Sequence, residues 1–158
     1  KMKLSVIIPL FKSELIIEEL IKKLLESLND LSLPLTHEVI LVNDNGTDAC
    51  WLKIKQLALK HKQIKGIALK GNYGQHNAVM AGFNHCSGDY IITMDDDLQH
   101  PPRYIEAIIE QLKDGFDVCY TNYMNRKHAL WKHLVSWINN IISSHFLNKP
   151  YKLSLIHI

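Results

Sequence analysis

The sequence predicts an α/β fold, a mostly parallel sheet flanked by helices. Two observations carry this. Short apolar runs alternate with longer segments whose apolar residues recur at helical spacing. A polar cluster follows each of the first four apolar runs: Lys12-Ser13-Glu14, Asn43 to Gly46, Lys70 to Gln75, and Asp95 to Gln99. Alternating strands and helices imply parallel strands joined by right-handed crossovers. Such sheets bind ligands outside the carboxyl ends of their strands, near a point where the strand order reverses.

In order along the chain, Leu4 to Leu10 reads as a buried strand. Glu14 to Leu28 reads as a helix, with Leu15, Ile16, Leu20, Ile21, Leu24, Leu25 and Leu28 at helical spacing. Asn29 to Thr36 is a loop around Pro34, and Glu38 to Val42 is the second strand. Asp48 to His61 is a helix with Trp51, Ile54, Leu57 and Ala58 on one face. Ile64 to Leu69 is the third strand and Gln75 to Cys86 the next helix. Tyr90 to Met94 is a strand, Pro102 to Leu112 a helix, and Phe116 to Thr121 a further strand.

Composition narrows the function classes. A chain of 158 residues suits one domain or part of one, and 47% apolar residues suffice for a core. A net charge of +2 leaves no basic footprint for nucleic acid. Cys50, Cys86 and Cys119 have neither zinc spacing nor an even count for a disulfide framework, so a reducing, cytosolic setting fits best. No apolar run approaches the ~20 residues of a membrane span. Lys1-Met2-Lys3 leads directly into a strand without a signal peptide. Ser154 to Ile158 carries no helix cap or polar tail and reads as a truncated end.

The chemistry concentrates in Met94 to Pro102. Three carboxylates at the end of a buried strand repel one another and lose hydration, which is costly without a positive partner. In extended chain Asp95 and Asp97 share one side, Asp96 points the other way, and Gln99 adds an amide oxygen on the side of Asp95 and Asp97. Asp95, Asp97 and Gln99 therefore form an oxygen-ligand set for Mg²⁺ or Mn²⁺, completed by water and diphosphate oxygens. The rival reading is a solvated acidic turn that caps a helix.

Other segments are less specific. Asp44, in a Gly-containing turn, is either part of a turn leading to a cap at Asp48 or a twin acceptor for the N–H groups of a nucleobase. Gly71 to Gln75 opens a helix whose N-terminus could receive a phosphate. Gly74, Ala78 and Gly82 share a face that would let that helix approach the sheet. His100 is given no catalytic role, and no nucleophile elbow, Walker loop or dinucleotide fingerprint is present. From Leu130 to Phe146, apolar residues including Trp131 and Trp137 recur at helical spacing, as in a core helix or an amphipathic helix at a bilayer surface. Arg126 and Lys127, just before it, could meet an anionic phosphate.

Together these residues resemble the N-terminal part of an inverting family 2 glycosyltransferase with the Rossmann-like GT-A fold. Within it they resemble the polyprenyl-phosphate branch, which includes dolichyl-phosphate mannose synthase and bacterial undecaprenyl-phosphate glycosyltransferases. The matching pieces are Ser5 to Pro9 with Glu14, Val42-Asn43-Asp44, Asn72 to Gln75 with Ala78 and Gly82, and Met94 to Pro102. The resemblance runs to about Lys152. It implies that Pro9, Phe11, Glu14 and Asp44 line a nucleobase pocket, with Gln75 and Asp96 also at the nucleotide. It assigns Asp95, Asp97 and Gln99 to Mg²⁺ or Mn²⁺, and gives Asp97 and Arg126 catalytic roles, Arg126 at a substrate phosphate. Residues 1–126 would be the nucleotide-sugar-binding core. Residues 127–158 would hold the amphipathic helix and the truncated start of the acceptor-side region.

The implied partners are a nucleotide-diphosphate sugar (uracil favoured over guanine), a polyprenyl phosphate, a membrane surface and a homo-oligomer, with no nucleic acid. The implied location is the cytoplasmic face of the inner membrane, with membrane helices beyond this chain. The turn after Asp44 departs from the family's usual Asp-Gly-Ser-Thr-Asp, and Phe11 stands where tyrosine is common. Two rival readings stand beside this one. A family 2 enzyme with a hydroxyl acceptor would build a glycan or polysaccharide and would need a carboxylate base. An inactive nucleotide-binding fragment would need none.

Overall fold

The computed structural model describes residues 2–97, 104–113 and 118–119. Four parallel strands form its sheet: β1 (Lys3–Leu10), β2 (Thr36–Asn43), β3 (Ile64–Ala68) and β4 (Tyr90–Thr93). The helices between and after them are α1 (Ile17–Asn29), α2 (Cys50–Lys60), α3 (Gln75–Phe83) and α4 (Ile105–Lys113). The α/β class and the parallel sheet expected from the sequence are both observed.

The strand order is β3-β2-β1-β4. The chain therefore moves outward from β1 through β2 to β3, then crosses back to pair β4 with the free side of β1. Right-handed crossovers then place helices on opposite faces, because the direction of travel along the sheet reverses. The packing agrees. Leu20, Leu24, Ile54, Ile108 and Ile109, from α1, α2 and α4, join one buried cluster with Val6, Ile8 and Leu41. Ala78 of α3 packs on the other face with Ile7, Ile40 and Val42. Covered on both faces, β1 and β2 read as unbroken apolar runs.

The small residues of α3 serve the close approach expected of them. A Cβ at Gly82 would stand 2.4 Å from Ile7 Cγ2, so any side chain there would push α3 off β1.

Element ends differ where local hydrogen bonding intervenes. α1 starts at Ile17, not Glu14, because the Ser13 carbonyl accepts from both Ile16 N–H and Ile17 N–H at 3.1 Å and holds the preceding residues in a turn. β4 ends at Thr93, where its pairing with Ile7 stops. Of the strand expected over Phe116 to Thr121, only Val118 and Cys119 are described, outside any strand. The expected helix after Arg126 lies outside the described residues.

A carboxylate network ties the amino ends of the strands together. Glu38 is buried in β2 and meets Lys3 Nζ at 3.0 Å and Lys65 Nζ at 2.8 Å. It also accepts from Ser5 Oγ at 2.7 Å, Ser87 N–H at 2.7 Å and Ser87 Oγ at 2.9 Å. Burial alone would raise its pKa, but the bonds from Lys65, Ser5, Lys3 and the Ser87 amide outweigh this and hold it well below the usual carboxylate range.

Candidate functional site

The reversal of strand order between β1 and β4 splits the chain's path at their carboxyl ends, where a crevice is expected. A cavity of about 210 Å³ lies there, lined by Pro9, Leu10, Phe11, Asp44, Gln75, Asp95, Asp96 and Asp97. Three strand ends and the start of α3 supply these residues. The structure thus brings together most of the sequence-derived candidates: Pro9, Phe11, Asp44, Gln75, Asp95, Asp96 and Asp97.

Asp44 is almost fully buried, at 3% exposure. Its Oδ1 accepts from Tyr73 N–H and its Oδ2 from Gly74 N–H, both at 2.8 Å. These amides immediately precede α3. A carboxylate of the protein itself thus meets two amides at the start of this helix. Each Asp44 oxygen keeps a second lone pair, so a base N–H can still be accepted.

The loop after β1 is shaped by Lys12, which takes a left-handed conformation at φ 57°. That turn directs the Ser13 side chain inward, where Ser13 Oγ accepts from Phe11 N–H at 3.1 Å and donates to Asp96 Oδ2. Phe11 is left 46% exposed on the cavity wall, with Lys12 Nζ 5.3 Å from its ring centroid. An exposed aromatic face of this kind can stack on a planar base.

Glu14 departs from its expected place. It is not among the residues lining the cavity. Its carboxylate accepts from Ala49 N–H at 3.1 Å, and its own N–H donates to Asp48 Oδ2 at 2.9 Å. This reciprocal pair clamps the loop after β1 to the loop before α2, in the manner of a capping box between separate segments. Its carboxylate is used on an orphan helix amide.

Asp96 also departs from the side that strand alternation assigns it. Alternation holds only for extended chain, and β4 stops at Thr93. Beyond it the backbone bends, and Asp95, Asp96 and Asp97 all line the same cavity. Asp95 Oδ1 accepts from Gln75 Nε2 at 2.5 Å. Gln99 and Arg126 lie outside the described residues.

The buried thiol of Cys50 registers the local field. Its pKa is pushed up to about 11, first by burial and then by the negative charges of Asp48, Asp96 and Glu14, against a bond from the Ser13 backbone. Among the described residues no three His, Cys, Asp or Glu side chains converge into a metal cage. Two carboxylates with diphosphate oxygens completing the shell fit this arrangement, as is usual for Mg²⁺. Asp95 and Asp97 are the described residues that would hold such an ion.

Leu10 on the cavity wall and Ser13, which holds Asp96 from behind it, are not candidates from the sequence; Ser13 is the one with a polar role. Its only signal was its place in the polar cluster after the first strand.

Comparison with known proteins agrees with this geometry. The profile of Glycosyl transferase family 2 matches residues 5–158. The chain is 38% identical over 141 residues to undecaprenyl-phosphate 4-deoxy-4-formamido-L-arabinose transferase of Salmonella choleraesuis, covering 89% of this chain and 42% of that protein. The same enzyme of Salmonella newport gives the same identity and coverage. The chain thus spans less than half the length of these curated relatives. Among solved structures, a mannosyltransferase from Pyrobaculum calidifontis in complex with GDP-Man and Mn²⁺ matches 73% of this chain and 33% of its own, at TM-score 0.60 and 21% identity. S. aureus TarS with UDP-GlcNAc matches 78% of this chain and 39% of its own, at TM-score 0.54 and 23% identity. At these identities the structural matches speak for the GT-A fold. With the profile spanning nearly its whole length, the chain belongs to glycosyl transferase family 2.

Proposed function

We propose that the protein transfers a sugar from a nucleotide-diphosphate sugar, with UDP favoured, to the phosphate of a polyprenyl carrier, inverting the anomeric carbon. The observation that carries this reading is the acidic cavity at the β1/β4 crevice, in a chain 38% identical to undecaprenyl-phosphate transferases.

In this reading Phe11 and Pro9 flank the base, and Asp44 accepts its N–H. Asp95 and Asp97 hold Mg²⁺ or Mn²⁺ against the diphosphate, and Gln75 orients Asp95. The bound ion supplies charge stabilisation for the departing nucleoside diphosphate. A phosphate acceptor is already ionised at neutral pH, so it attacks without a strong general base. Its approach from the face opposite the diphosphate inverts the sugar carbon. Arg126 is assigned to a substrate phosphate on the sequence resemblance alone. The cytoplasmic membrane surface is the natural place for such an acceptor.

The test uses the full-length protein. Radiolabelled nucleotide sugar, polyprenyl phosphate and Mn²⁺ should give product that partitions into organic solvent. Calorimetry with UDP and with GDP assigns the base. Label that stays in the aqueous phase on a glycan would select the hydroxyl-acceptor reading. Absence of binding by either nucleotide with Mn²⁺ would remove the donor assignment.

A further inference from the structure

We propose that Ser13 is a positioning residue of the nucleotide site, fixing Asp96 and the Phe11 wall in one geometry; this rests on the nucleotide-sugar reading above. Ser13 is only 2% exposed, so its hydroxyl is out of reach of water and its bonds are internal. A hydroxyl has one proton to donate, and Ser13 spends it on Asp96 Oδ2. It accepts from Phe11 N–H at 3.1 Å at the same time. Its carbonyl takes both Ile16 N–H and Ile17 N–H at 3.1 Å. Ser13 therefore joins the Phe11 backbone to a carboxylate just past the neighbouring strand β4, 83 positions along the chain.

The need for such a tether follows from the charges. Asp96 stands between Asp95 and Asp97 on one cavity wall. A released Asp96 carboxylate would be free to turn toward the diphosphate and repel it, or to compete for the ion. Held by Ser13, it stays against the loop after β1. The hydroxyl thus keeps the middle carboxylate apart from its two neighbours, without touching donor or acceptor itself.

The experiment is a double-mutant cycle on nucleotide affinity, read by calorimetry with UDP and Mn²⁺ on the full-length protein. Ser13→Ala should weaken binding about tenfold, the scale of a lost hydrogen bond to a charged group. Ser13→Thr, which keeps the hydroxyl, should bind close to wild type. In an Asp96→Ala background, Ser13→Ala should cost clearly less than in wild type, because only its bond from Phe11 N–H is left to lose. Thermal unfolding of each variant guards against misfolding. Should Ser13→Ala fail to fold, Ser13→Cys keeps the volume with a weak donor and takes its place in the cycle. Unchanged affinity in Ser13→Ala, or an undiminished loss in the Asp96→Ala background, would overturn the proposal. Wild-type protein that binds no nucleoside diphosphate is a separate outcome: it removes the donor reading and this inference with it.

Discussion

The two ends of the sheet handle carboxylates in opposite ways. At the amino end, the single buried Glu38 is surrounded by Lys3, Lys65, two serine hydroxyls and an amide. At the carboxyl end, Asp44, Asp95, Asp96 and Asp97 share one cavity. There Asp44 is met by two backbone amides and Asp96 by the Ser13 hydroxyl, all neutral donors. The first arrangement is electrostatically closed and serves the fold. The second gathers negative charge at an open crevice, where a bound cation and diphosphate can complete it. The same residue chemistry is thus paired with cations at one end and gathered around a cavity at the other.

The largest expected effect tests the open end. Asp97→Ala should lower sugar transfer by about 10²–10³-fold, the scale of one lost electrostatic contact to a developing charge. Its thermal unfolding should hardly change. Chelation of divalent ions from the wild type should lower transfer similarly, restored by Mn²⁺. Transfer that survives both treatments would erase the contrast between the ends.

Next comes the closed end. Glu38→Ala should cost about 3 kcal/mol in urea unfolding, at the low side for a broken buried pair because Lys3 and Lys65 keep contact with water. Nucleotide affinity, measured below the unfolding transition, should stay at wild type. The backbone beside this network is equally tight. A Cβ at Gly88 would stand 2.6 Å from the Ser5 amide nitrogen, so Gly88→Ala should cost about 2 kcal/mol by overpacking.

A pH series sharpens the same point. Glu38 is held below its ordinary value of 4.5, so its stabilisation is complete above that pH and is lost as pH falls below it. His37 on the same strand is lowered from 6.5 by burial, and its contribution fades as pH falls below 6.5. Both act in the same direction, so stability should drop on acidification. Glu38→Gln should flatten the lower part of that drop, and an unchanged profile would remove Glu38 as its source.

The smallest effect is a control on the surface. Lys53 and Glu18 pair at 3.2 Å between α2 and α1, both partly in water. Lys53→Ala should cost no more than about 0.5 kcal/mol. A larger loss would mean that ion pairs away from the two sheet ends also carry the fold.

Most of the fold was legible because it rests on local periodicity. The strand expected over Leu4 to Leu10 is observed over Lys3–Leu10, and the helix expected over Asp48 to His61 over Cys50–Lys60. The reading failed where local pattern stops being informative. Alternation said nothing about Asp96 once the backbone bent after Thr93. Glu14 was assigned to the nucleobase pocket by the family resemblance, and its carboxylate accepts from the Ala49 amide at the start of α2. Ser13 stood out only by its place in the polar cluster after β1, because a serine in a polar loop is usually a turn residue.

From the residue pattern alone came the alternation of strands and helices, the acidic cluster at a strand end and the resemblance to family 2 glycosyltransferases. These depend on neighbours within a turn or two and on short motifs. Only tertiary structure decided that β4 lies against β1, which opens the crevice between them. It alone set Asp44 against Tyr73 and Gly74, and Asp96 against Ser13. Those partners lie far apart along the chain, and only packing of the helices on both sheet faces determines which of them meet.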